Sequence, residues 1–138
     1  MLDTNVIVSG AITEKGTPFQ LLRAWRAREW NLIISPYILG EVRRVLNSPK
    51  IAPVYALTYQ DITDLIQLFQ SRAVVVRGTL TIPRISRDCE DDHILACAKE
   101  GEADYIVSGD QDLLSLERYQ GVPIVTPAAF AVFLRVAR

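Results

Sequence analysis

Four acidic residues lie where they could bind a cation together: Asp3, Glu41, Asp91 and Asp110. Asp3 and Asp110 follow short apolar segments that are typical of buried strands. Glu41 and Asp91 are spaced three or four residues from apolar side chains, so each shares the inward face of a predicted helix. A carboxylate on such a face is costly to bury unless it is paired or bound to a metal. Oxygen ligands select hard cations, so this set predicts a site for Mg²⁺ or Mn²⁺.

Each of these acids also has a purely structural interpretation. Asp91 could complement a helix dipole from the first turn, and Asp3 and Asp110 could accept hydrogen bonds from local backbone. Glu41 could pair with an arginine of its own helix. These interpretations do not explain why four separate elements direct carboxylates to one edge, where their mutual repulsion favours a bound cation.

The elements that must position these residues alternate along the chain. The sequence predicts strands at 1–3, 31–34, 74–76, 105–107 and 122–125, and helices at 17–28, 35–47, 58–70, 88–100 and 127–136. Within the helix at 17–28, Thr17 is the expected N-cap and Pro18 the first helical residue. Alternation of this kind is typical of an α/β fold with a parallel sheet flanked by helices. Ligands of such sheets bind at the carboxyl ends of the strands, where Asp3 and Asp110 are expected.

Composition sets limits on the function. The chain has 138 residues, 49% of them hydrophobic, and a net charge of −1, which excludes a disordered chain and argues against a generally basic nucleic-acid binder. No apolar run reaches the length of a membrane span. Cys89 and Cys97 have neither CxxC nor zinc-type spacing, so we expect reduced thiols and a cytoplasmic location.

Four segments together resemble a known family. They are LDTNVIVSGAI at 2–12, SPYILGEVRRVL at 35–46, DCEDDHILACAKEGEADYIVSGDQDLL at 88–114 and GVPIVTP at 121–127. The chain resembles the PIN domain family over nearly its whole length. More narrowly, it is similar to the VapC-like ribonuclease toxins of toxin–antitoxin systems. The resemblance implies a single PIN-like domain over 1–138, a divalent-metal site, an RNA substrate, a small antitoxin partner and a homodimer.

The resemblance also implies roles for individual residues. The acidic quartet of the family falls on the four carboxylates named above, as catalytic and metal-binding groups. Asn5 would orient Asp3 or a metal-bound water, Ser108 would support Asp110 by hydrogen bonding, and Asp112 would join an outer shell. Of two adjacent acids we choose Asp91 over Asp92, because Asp91 shares the helix face of Ile94 and Ala98.

The expected activity is that of an endoribonuclease dependent on Mg²⁺ or Mn²⁺. A metal-activated water would attack the phosphodiester bond in line and leave 5′-phosphate and 3′-hydroxyl ends. RNA binding needs positive charge, and the segment 14–50 has seven basic residues against three acidic ones. Within it, Arg43 and Arg44 are candidates for RNA contacts. His93 is expected on a solvated helix face.

Two other classes of function remain open from sequence. A non-catalytic module could keep the PIN fold and bind a partner, although retention of four carboxylates argues against it. A phosphatase of the haloacid dehalogenase type or a phospho-receiver domain would also need Mg²⁺. The phosphatase requires D-x-D after the first strand where this chain has D-x-N, and the receiver requires a lysine where Thr126-Pro127 follows the last strand.

Overall fold

The computed structural model describes residues 1–84 and 89–137. The helices of this part are α1 (Thr4–Ile12), α2 (Thr17–Arg26), α3 (Pro36–Leu46), α4 (Tyr59–Arg72), α5 (Cys89–Glu100), α6 (Gln111–Leu114) and α7 (Pro127–Ala137). The strands are β1 (Ile33–Ile34), β2 (Val74–Val75), β3 (Ile106–Val107), β4 (Arg118–Tyr119) and β5 (Val122–Val125). The fold is therefore mixed α/β, as expected, and every helix and internal strand predicted from sequence has a counterpart. The predicted helix start at Asp88 lies outside the described residues.

The sheet is less regular than the expectation of one parallel sheet. β1 pairs with β2 in parallel, and β5 lies between β3, its parallel neighbour, and β4, its antiparallel neighbour. The predicted first strand is reduced to one parallel bridge between Leu2 and Val107. The antiparallel β4 follows from its turn, because Gln120 and Gly121 have φ of 48° and 83°, the backbone of a tight hairpin. In the described ranges, two short parallel strand pairs and one antiparallel pair thus take the place of a continuous parallel sheet.

Helix α1 was not predicted, because its β-branched, apolar sequence is typical of a strand. Asp3 makes the helix possible. Its backbone is extended, and its side-chain Oδ1 accepts a hydrogen bond from the Val6 N–H at 3.0 Å, so Asp3 is the N-cap. Buried positions on several sides of α1 explain why its sequence is mostly apolar.

Helix caps were predicted with mixed success. Ser35 caps α3 by accepting from the Ile38 N–H at 3.2 Å, as its position before Pro36 indicates. At α2, by contrast, the N-cap is Gly16, and Thr17 is already helical and makes no capping hydrogen bond. A φ of 95° at Gly16 explains the shift, because glycine adopts this backbone without strain.

The packing of α1 against α2 fixes the position of the Asp3 cap. At their crossing, a Cβ on Gly10 would lie 2.6 Å from the Pro18 carbonyl oxygen, so only glycine allows this approach. Behind α2, Trp25 is buried and stacks on Phe69 of α4, with ring centroids 5.3 Å apart. In the described part of the chain, no helix is long and apolar enough to cross a membrane.

Candidate active site

A small cavity lies where the chain enters α1, where α5 begins and where the loop after β3 turns. Its volume is about 50 Å³, enough for an ion with water. It is lined by Asp3, Thr4, Asn5, Glu90, Asp91, Ile94 and Asp110. The structure therefore brings three of the four sequence-predicted carboxylates to one cavity, together with the predicted Asn5.

Asp3 is held at this cavity by two hydrogen bonds. Its Oδ1 accepts from the Val6 N–H, and its Oδ2 accepts from the hydroxyl of Ser108, a fully buried residue. Asp3 itself is only 6% exposed. Burial raises the pKa of the Asp3 carboxyl and the nearby charge of Asp110 raises it further, while the hydrogen bonds from Ser108 and Val6 oppose this shift.

Ser108 also links Asp3 to Asp110. The Asp110 N–H donates to Ser108 Oγ at 2.9 Å, and Asp110 Oδ1 accepts from the Asp112 N–H at 2.9 Å as the N-cap of α6. The contact predicted between Ser108 and Asp110 is thus made through the Asp110 backbone. Asp112 contributes its backbone N–H here, and its exposed side chain does not line the cavity.

Helix α5 supplies the opposite wall. Asp91 is 5% exposed and lines the cavity, whereas the adjacent Asp92 is half-buried and does not. Glu90, which sequence analysis did not select, lines the cavity as well. Its spacing of four residues from Ile94 places both on one helix face and was the signal that could have identified it.

The fourth predicted carboxylate, Glu41, does not line this cavity. It is bound by Arg44, whose Nη2 lies 2.8 Å from Oε2 and whose Nε lies 3.3 Å from Oε1. Glu41 and, more weakly, Glu90 raise the pKa of Arg44. Glu41 therefore has the structural role considered from sequence, because it forms an ion pair with an arginine one helical turn later. Arg44, predicted to contact RNA, is already neutralised by this pair, while Arg43 is exposed.

The donor set of the cavity fits a hard cation in its chemistry, since carboxylate oxygens from three elements surround a polar space. Burial is the main cause of the raised pKa of Asp3, and a cation would offset this cost of desolvation. Within residues 1–84 and 89–137, however, no three His, Cys, Asp or Glu side chains converge closely enough to hold an ion in this conformation. Asp3 and Asp110 direct oxygens to Ser108, Val6 and Asp112 instead.

Most of this chain matches a known protein family. The family model described as PIN domain matches residues 1–112. The chain belongs to the PIN domain family. An uncharacterized protein of Methanocaldococcus jannaschii is 30% identical to it over 116 residues, which cover 84% of this chain and 73% of that protein. No solved structure gives a significant match.

PIN domains are generally nucleases that act on nucleic acid and use divalent metals. The family predicted from the four sequence segments is thereby confirmed. Residues 1–112 contain all four carboxylates of the cavity, so the family match spans the site. Membership in the PIN family also argues against the phosphatase and receiver alternatives.

Proposed function

We propose that this PIN domain is an endoribonuclease that hydrolyses RNA phosphodiester bonds with Mg²⁺ or Mn²⁺. The observation that carries the proposal is the meeting of Asp3, Asp91 and Asp110, from three separate elements, at one small polar cavity. Asp3 is buried there, although burial of an ionised carboxylate costs free energy unless a counter-charge stabilises it. A divalent cation would supply that charge.

In this proposal Asp3, Asp91 and Asp110 hold the ion. Glu41, which the sequence resemblance assigns to the same set, stays paired with Arg44 outside the cavity. When bound, the ion supplies a positive charge for the scissile phosphate and lowers the pKa of water. Ser108 and the Val6 N–H fix the Asp3 carboxylate in one orientation. Asn5, at the cavity wall, offers an amide for a phosphate oxygen or a water.

The biological setting is proposed from the sequence resemblance to VapC-like toxins. It comprises a toxin role, a small antitoxin partner, a homodimer and a cytoplasmic location. Exposed apolar side chains on α7, Val132 and Phe133, support a subunit contact. Cys97 is a buried free thiol, which fits a reducing compartment.

A non-catalytic PIN-fold module is the second candidate. It is favoured by the lack of convergence among metal-ligating side chains in the described ranges. The two candidates differ in what they require of Asp3 and Asp110. A nuclease needs both carboxylates, whereas a binding module does not.

The test is a cleavage assay on total RNA with Mn²⁺, with Mg²⁺ and with EDTA, followed by mapping of the cut ends. Wild-type protein should cut only with metal and leave 5′-phosphates. The Asp3→Asn/Asp110→Asn double variant should be inactive, and Asp104→Asn, which removes an exposed acid outside the cavity, should retain activity. Full cleavage by the double variant in EDTA would contradict the proposal, and an inactive wild type would favour the binding module.

A further inference from the structure

Two further cavities follow one another along helices α1 and α2. The first, about 340 Å³, shares Asp3, Asn5 and Asp110 with the acidic cavity and extends to Ser9 and Pro18. The second, about 370 Å³, is lined by Gly10, Thr13, Glu14, Phe19, Arg23 and Arg26. The first cavity therefore reaches the carboxylates, and the second reaches two arginines.

The two cavities are lined by neighbouring residues of α1 and α2, although no residue lines both. Pro18 lines the first and Phe19, the next residue, lines the second. Along α1, Asn5, Ser9 and Thr13 are spaced four residues apart and form one polar stripe past the crossing of α1 and α2. Eight residues of helix correspond to about 12 Å, a distance that an extended nucleotide chain spans with a few phosphates.

The arginines at the far end have no partner among the residues that the structure describes. Neither the Arg23 nor the Arg26 guanidinium makes a hydrogen bond or ion pair there, and both residues are exposed. Glu14 lines the same cavity but is not ion-paired with them. Arg44, on the other side of the acidic cavity, is by contrast bound to Glu41. Arg23 and Arg26 thus provide cationic charge on the α2 side that no described residue neutralises.

We propose that the path from the acidic cavity to Arg23 and Arg26, the α1–α2 track, binds single-stranded RNA beside the scissile phosphate. One nucleotide occupies the first cavity, and the next phosphates lie against the arginines. Phe19, half-buried in the second cavity, offers an apolar ring to an unstacked base. A duplex keeps its bases stacked inside and cannot place them in these cavities. This proposal rests on the proposed function in one respect, the position of the scissile phosphate at the acidic cavity.

The first experiment measures RNA binding without cleavage. Fluorescence anisotropy of a labelled single-stranded oligoribonucleotide is recorded in EDTA over a series of salt concentrations. Each lost phosphate contact should lower the slope of log affinity against log salt by about 0.7, so Arg23→Gln/Arg26→Gln should lower it by about 1.4. Arg118→Gln, which removes an exposed arginine on β4 outside the track, is the matched control and should keep the wild-type slope.

An unchanged slope in the double variant, an equal loss in the control or an absence of wild-type binding would each overturn the track. Equal affinity of the wild type for a duplex of the same sequence would also contradict it. The binding assay contains no metal, so if the protein binds RNA as expected but never cleaves it, only the proposed function is contradicted. If the protein cleaves RNA but the double variant keeps the wild-type salt slope, only the α1–α2 track is contradicted.

A second variant tests the first cavity independently of charge. Ser9 is half-buried in the cavity wall, and Ser9→Phe should fill this space. Single-stranded binding should fall roughly fivefold or more, because the nucleotide in this cavity loses contacts worth about 1 kcal/mol. Thermal unfolding checks that the variant is folded. Wild-type affinity in a folded Ser9→Phe protein would contradict occupation of this cavity by a nucleotide.

Discussion

The two walls of the acidic cavity use similar residues in different ways. On the α1 side, Asp3 is held by Ser108 and the Val6 N–H, and the surface continues to arginines with no described partner. On the α5 side, Asp91 lies beside Glu90, and Arg44, whose pKa the charge of Glu90 raises, is bound by Glu41. The charge of Arg44 is therefore neutralised within its own helix, whereas the charges of Arg23 and Arg26 are not.

This difference shows that residue type alone does not assign a role. Glu41 and Asp91 both have the helical spacing of inward-facing acids, but an arginine three residues later draws Glu41 into an exposed ion pair. Asp91 has no such arginine on its helix and remains in the cavity wall. We therefore expect the α1 side to govern substrate binding and acids of both sides to contribute to the proposed cation site.

The largest expected effect separates two neighbours on the α5 side. Asp91→Asn should lower metal-dependent RNA cleavage at least about 100-fold, because loss of one ligand carboxylate removes several kcal/mol of charge stabilisation. Asp92→Asn is the matched control and should change the rate less than about threefold, since Asp92 does not line the cavity. Steady-state kinetics on one defined RNA give both numbers. The reverse order of effects would reassign the site to Asp92.

A smaller effect is expected on the α1 side at Ser108. Ser108→Ala removes the hydroxyl that donates to Asp3 and accepts from the Asp110 N–H, and a loss of roughly 10- to 100-fold in activity is expected. Because that hydrogen bond lowers the pKa of Asp3, the acid limb of the pH–rate profile should move to higher pH. Ser108→Thr keeps the hydroxyl, so its pH–rate profile should have the acid limb at the wild-type pH. An unshifted profile in Ser108→Ala would limit Ser108 to a packing role.

The exposed ion pair on the α5 side should matter less. Glu41→Gln should change cleavage only about one- to fivefold, because the carboxylate is outside the cavity and exposed pairs contribute little free energy. RNA affinity should rise slightly as Arg44 becomes available. A loss of activity as large as that of Asp91→Asn would instead establish Glu41 as a metal ligand, as the sequence predicted.

The smallest effect concerns stability without metal. The folded-state pKa of Asp3 is raised above its ordinary value of 3.8, mainly by burial. The stabilisation from the protonated form is complete below pH 3.8 and is lost as pH rises through the folded-state pKa. Metal-free Asp3→Asn should therefore lack this loss and have a higher Tm than wild type near neutral pH. Thermal unfolding of both proteins across pH measures it, and parallel Tm curves would contradict the shift.

Much of this molecule could be predicted from local sequence. Ser35 before Pro36 and Thr58 at the start of α4 indicated helix starts that the structure confirms. The spacing of Asp91 from Ile94 predicted its buried face. These features depend on residues within one or two turns, where spacing alone determines which side chains share a face.

What escaped prediction depends on contacts between distant segments. Helix α1 has a strand-like sequence, and it forms because Asp3 caps it and its apolar surface is buried by other elements. The bond from Ser108 to Asp3 joins residues 105 positions apart. The hairpin of β4 and β5 depends on positive φ at Gln120, a conformation that its residue type does not signal. Tertiary packing decided each case.

The central claim is that Asp3, Asp91 and Asp110 form a divalent-cation site, with Ser108 positioning two of them. Calorimetric titration with Mn²⁺ tests it without requiring a known RNA. Wild-type protein should bind one or two ions, Asp104→Asn should bind them equally well, and Asp3→Asn/Asp110→Asn should lose the binding. If the double variant bound Mn²⁺ as tightly as wild type, or if the wild type bound none, the cavity would not be a metal centre.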